Sequence, residues 1–114
     1  MSTIATIAAS LVVLLHLVFA AAESVGWTQM AARFGYDKQK TETTRALALN
    51  QGAYNAGLAC VLGWALATGQ AATVIAMLIY VLVMAIVGAL SVRWSIFVIQ
   101  GVPALAALAA ALLA

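Results

Sequence analysis

The chain has 114 residues, 67% of them hydrophobic and 7% charged, with a net charge of +2. A soluble domain carries about 25% charged residues, so this composition cannot build a water-facing surface and specifies an integral membrane protein. The basic residues form no extended face, which argues against nucleic acid as a partner, and one cysteine, Cys60, excludes an intramolecular disulfide and a thiolate metal site.

A membrane-crossing helix needs about 20 apolar residues. Four segments qualify, roughly Ile4–Val25, Arg45–Ala67, Ala71–Leu90 and Arg93–Leu113. The first holds His16 and Glu23, seven residues apart, so both side chains leave the same helix face after two turns. A charge at mid-membrane costs roughly 2.5–3.5 kcal/mol, and titratable groups in such segments are functional-site candidates by default. Phe19–Ala22 ends in small residues, as a signal-peptide cleavage site does. Met1–Ser10 carries no Lys or Arg, however, whereas a signal peptide needs a basic n-region, so the segment reads as a retained span.

A polar connector, Thr28–Thr44, follows, with Arg33, Asp37, Lys38, Lys40 and Glu42; Asp37 or one of Thr41, Thr43 and Thr44 is expected to cap the second helix. The second span carries Asn50, Gln51, Tyr54 and Asn55, three amides and a tyrosine within six residues. The connector around Thr68–Gln70 has the shortness of an antiparallel helical hairpin. The third span offers Tyr80 near its middle and Gly88, where a close helix approach fits, and reads mainly as packing. After Ser91–Arg93 the fourth span places Gln100 seven residues beyond Arg93. Pro103 leaves the Ile99 carbonyl without its donor and predicts a kink with room beside Gln100.

Arg33, Lys38, Lys40, Arg45 and Arg93 lie on one side of the four spans and no basic residue on the other, so the positive-inside rule puts both termini outside. Trp27 and Trp94 are then expected at the cytoplasmic interface and Trp64 near the outer one. At 1.5 Å per residue, Glu23 lies roughly 3 Å below the cytoplasmic surface and His16 roughly 13 Å. Asn50, Gln51 and Asn55 fall at roughly 7, 9 and 15 Å, and Gln100 at roughly 10 Å. The polar groups of three helices thus share the cytoplasmic half. Glu23 and Arg93, both shallow, fit an ion pair locking the first helix to the fourth; the alternative makes Glu23 a proton- or cation-binding carboxylate. For His16 a structural hydrogen bond competes with a proton relay or ligand contact. One His with one Glu two turns away falls short of a zinc site, and no metal or cofactor is expected.

These residues also carry a family resemblance. His16-Leu17, Glu23, Trp27 and Arg33-Phe34-Gly35, then Asn50-Gln51-Gly52-Ala53-Tyr54-Asn55, Gly88-Ala89 and Gln100-Gly101-Val102-Pro103-Ala104 resemble the small bacterial membrane proteins of domain-of-unknown-function family 1304. The family tends to have bulky residues around the glutamate and a glycine directly after the second asparagine. Here Ala22 and Ser24 flank Glu23, and Ala56 precedes Gly57. The resemblance implies a four-helix protein of the bacterial inner membrane and supplies no activity.

The reading is therefore an all-α, single-domain, four-helix transmembrane bundle over residues 1–114, multi-pass, with both termini on the extracytoplasmic side. A polar pocket in the cytoplasmic half, lined by His16, Glu23, Asn50, Gln51, Tyr54, Asn55, Arg93 and Gln100, is expected to bind or transport a small molecule or lipid headgroup. A structural or accessory subunit is the alternative, with polar stripes that only fix helix register. A membrane enzyme using His16 and Glu23 as acid and base ranks third. Membrane lipids are expected partners, and small residues at four-residue spacing leave a homo-oligomer open.

Overall fold

The computed structural model describes residues 1–113; Ala114, the last residue of the domain read from the sequence, lies outside them. Among the described residues the chain is all-α: α1 (Thr3–Glu23), α2 (Trp27–Arg33), α3 (Lys38–Ala67), α4 (Ala71–Ser91), a π-helical turn (Phe97–Gly101) and α5 (Val102–Leu113).

Helix α1 opens on a Ser2 cap, whose hydroxyl accepts from the Ala5 amide at 3.1 Å. Ala5, Ala9, Val12 and His16 recur at spacings of three and four and are buried, while Ile4, Ile7, Leu11, Leu14 and Val18 are exposed. A helix apolar on its exposed face as well as its buried one suits lipid rather than water. Helices α1 and α4, 21 residues each, are long and apolar enough to cross a membrane. At about 31 Å they match a hydrocarbon layer of about 30 Å.

The other two expected spans differ from the sequence reading. Helix α3 has 30 residues and starts seven residues before Arg45. Asp37 caps it, accepting from the Lys40 amide at 2.7 Å, and Thr41, Thr43 and Thr44 return their hydroxyls to carbonyls one turn back. Its first turns are consequently polar. The fourth forms a shorter apolar helix, Phe97–Leu113.

Helix α1 packs along α3 and α5, and α4 packs along α5 and α3, so four rods close around one core in a body of 48 × 25 × 17 Å. Val12, Leu62, Val74, Leu78, Val81 and Leu108 fill that core with small alanines between them. The hairpin turn between α3 and α4 uses Gly69 at φ 68°, with the Gln70 amide bonded to the Ala65 carbonyl at 2.8 Å. Helix α2 ends the same way on Gly35 at φ 78°. Both are left-handed helix ends that favour glycine.

The expected polar connector is thus largely helical, and it folds back on α3 around a second small core of Trp27, Ala31 and Ala48. Trp27 is buried, not an interfacial anchor: its indole N–H donates to the Thr41 carbonyl and the Thr44 hydroxyl, each at 3.2 Å. Trp64 and Trp94 are exposed.

At Pro103 the expected break in the helix is present as a widened turn. The Val102 amide bonds to the Phe97 carbonyl five residues back, and Pro103 follows in the first turn of α5, where a missing N–H is tolerated. The turn is closely packed at Gly101. A Cβ there would stand 3.0 Å from the Phe97 ring and 3.2 Å from Ala85.

Candidate functional site

The inward face of α1 carries the two titratable residues that the sequence singles out. His16 is completely buried on that face. Its Nδ1 lies 2.8 Å from the Val12 carbonyl oxygen. A carbonyl only accepts, so Nδ1 carries a proton, and in the neutral form of the ring Nε2 keeps a lone pair. Nε2 is buried and has no hydrogen-bond partner, the one such side-chain atom among the described residues. Phe19 presents its ring to the imidazole edge-on, with centroids 5.2 Å apart.

Two turns on, Glu23 is half-buried and Asn55 of α3 donates to its Oε1 at 2.5 Å. The contact is made possible by Gly52. A Cβ at that position would stand 3.0 Å from the Ala20 carbonyl oxygen and 3.3 Å from the Glu23 Cβ, so only glycine lets α3 come this close. Gly52 lies inside the amide block, but its role was not legible, since an absent side chain leaves no periodic signal.

That contact also corrects the depth assignment. Asn55 meets the end of α1 rather than the level of His16, and Asn50 and Gln51 lie still further toward the connector end. The reason is that Gly52, not an equal count from each helix start, sets the register of α1 against α3.

Of the remaining sequence-derived candidates, Asn50, Gln51, Tyr54 and Arg93 are exposed, and Gln100 is half-buried on the π turn. The Glu23–Arg93 ion pair is absent. Glu23 takes Asn55, and the Arg93 guanidinium lies over the Phe34 ring, 4.7 Å from its centroid. Among the described residues the ion pair is Arg45 with Glu42, at 2.7 Å. Two concavities, of about 280 and 210 Å³, lie elsewhere, one beside Asp37 and Lys40 and one between Thr6 and Gln70.

Chemically, Nε2 of the neutral ring accepts a proton or one hydrogen bond, and Glu23 with Asn55 forms a carboxylate–amide pair at the connector end of α1. His16 and Glu23 are separated by roughly 10 Å along the helix, too far to share a proton directly. No group of three His, Cys, Asp or Glu is placed to hold a metal among the described residues.

A family model described as protein of unknown function, DUF1304, matches residues 10–112. The chain belongs to that family. The matched stretch contains His16, the Glu23–Asn55 pair, Gly52 and the π turn before Pro103, so every part of the DUF1304 site described above falls within it. No curated protein and no solved structure matches the chain.

Proposed function

We infer that this DUF1304 protein is a multi-pass protein of the bacterial inner membrane, a four-helix transmembrane bundle with both termini outside, that binds or transports a small polar molecule or lipid headgroup through a proton-accepting histidine. His16 is the inner group. Glu23, Asn55 and Gln100 stand between it and the cytoplasmic end, and Asn50, Gln51, Tyr54 and Arg93 form the rim. The observation that carries this reading is the bare Nε2 of a fully buried imidazole. An unpaired polar atom in an apolar core costs about 1–3 kcal/mol, and its retention asks for a partner such as a proton, a water or a ligand. The lengths and apolar faces of α1 and α4 support the membrane setting.

The structural reading has its own support in the Glu23–Asn55 bond across the close α1–α3 contact. The two readings part at Nε2. The chain has a single histidine, so selective ¹⁵N labelling reports this one ring in lipid bilayers. The binding reading expects the Nε2 resonance to move with pH, or to show a hydrogen-bonded nitrogen. A resonance fixed as an unbonded imine from pH 5 to pH 9 overturns it and leaves the histidine a packing residue.

A further inference from the structure

All three Asp and Glu side chains are already engaged. Glu23 accepts from Asn55, Asp37 caps α3 at the Lys40 amide, and Glu42 pairs with Arg45, whose guanidinium holds the Glu42 carboxyl below its ordinary pKa. Of the five basic side chains, Arg33, Lys38, Lys40 and Arg93 therefore have no carboxylate partner among the described residues. All four lie at the connector end.

Two of them are held in place. The Lys40 ammonium sits over the Tyr36 ring, 4.1 Å from its centroid, and the Arg93 guanidinium over the Phe34 ring at 4.7 Å. The two rings are adjacent, with centroids 5.8 Å apart. Phe34 and Tyr36 are in turn fixed edge-on against the buried Trp27. One aromatic platform thus presents two exposed cations that come from different connectors.

We propose that Lys40 and Arg93, mounted on Tyr36 and Phe34, clamp the phosphate of an anionic phospholipid. The inference rests on the membrane reading above but not on His16. Charge complementarity selects the partner. A zwitterionic lipid brings its own ammonium to the two cations, whereas phosphatidylglycerol brings a phosphate diester with no compensating positive charge. The site lies where the apolar faces of α1 and α4 end, which is headgroup level in the same reading. The exposed ring of Phe34 offers an apolar contact to the glycerol and upper acyl chain, which free phosphate would not use. Each cation near an anionic headgroup adds to the attraction, and cations held in position lose less entropy on binding than free ones.

The test uses the full chain in neutral detergent, titrated with phosphatidylglycerol or phosphatidylcholine and read by native mass spectrometry. Phosphatidylglycerol is expected to bind in a one-to-one complex and phosphatidylcholine at least tenfold more weakly. The double substitution K40Q/R93Q lowers phosphatidylglycerol affinity about tenfold or more, whereas R33Q/K38Q, which removes the same charge, lowers it about threefold or less. Equal losses in the two double variants overturn the clamp in favour of a diffuse field. Displacement of the lipid by millimolar inorganic phosphate overturns the lipid as the partner. Should K40Q/R93Q lose its native helix content, the single substitutions R93Q and R33Q serve instead, with a loss of about fivefold or more expected in R93Q and equal losses in the two overturning the proposal. The clamp and the histidine site fail separately, because the clamp is read by phosphatidylglycerol affinity in K40Q/R93Q and the histidine by its own ¹⁵N resonance in the wild type.

Discussion

Single residues decide how closely the helices meet, and glycines show it best. Gly52 and Gly57 lie five residues apart on α3 but face opposite environments. A Cβ at Gly52 meets the Ala20 carbonyl at 3.0 Å, and a backbone atom cannot rotate away; a Cβ at Gly57 meets nothing within 4 Å. Replacing either with alanine favours the helix by up to about 1 kcal/mol. At Gly52 the overpacking cost of about 1–3 kcal/mol outweighs that gain. Thermal unfolding in detergent should therefore show Gly52→Ala melting below the wild type and Gly57→Ala at or above it. A Gly52→Ala protein as stable as the wild type would mean that the α1–α3 contact is looser than described. The same comparison explains what the sequence could and could not reveal. His16 and Glu23 were legible because charge and titratable groups stand out in an apolar run. The pairing of Glu23 with Asn55 was not, because the residue that sets it is visible only as missing atoms.

At the scale of elements, apolar length located the helices and polar composition misjudged the connector. Thr28–Thr44 lacks the apolar run that marks a span, yet it holds most of α2 and the first two turns of α3. The cap at Asp37 was legible, since an aspartate before a polar run is a recognised start signal. The packing of α2 was not: Trp27 reads as an interfacial anchor by position but is buried by contacts with residues 14 and 17 positions away. Trp27→Phe keeps the ring and removes the N–H, so it should cost about 0.5–1.5 kcal/mol, the ordinary net worth of a hydrogen bond. The loss should be local. Amide exchange should quicken at Met30 and Ala31 of α2 and stay unchanged at Leu62 and Ala65, which belong to the main core. Uniform acceleration across both groups would show that the small aromatic core and the main bundle unfold as one unit.

At the scale of the whole molecule, the fold gathers charge at one end. The contact of Arg93 with Phe34 brings the first and third connectors together, so the four cations without a carboxylate partner among the described residues share one end of a body 48 Å long. At the other end, Met1 and Thr6 of the amino-terminal region meet Gly69 and Gln70 of the α3–α4 turn, with no Lys or Arg side chain among them. An asymmetry of this kind sets the orientation of a membrane protein, because basic connectors are retained on the cytoplasmic side. A fusion of alkaline phosphatase after the last residue should therefore be active and a fluorescent-protein fusion there dark, with the reverse pattern for insertions after Gly35. The cause can be tested along with the outcome. Changing Arg33, Lys38, Lys40 and Arg93 to glutamine while placing lysines at Thr68 and Gln70 reverses the charge bias without touching either core. That variant should invert, or populate both orientations, so the carboxy-terminal phosphatase signal falls. A signal that is inactive in the wild type overturns the assigned orientation, and one that stays fully active in the reversed variant shows that something other than these cations holds it.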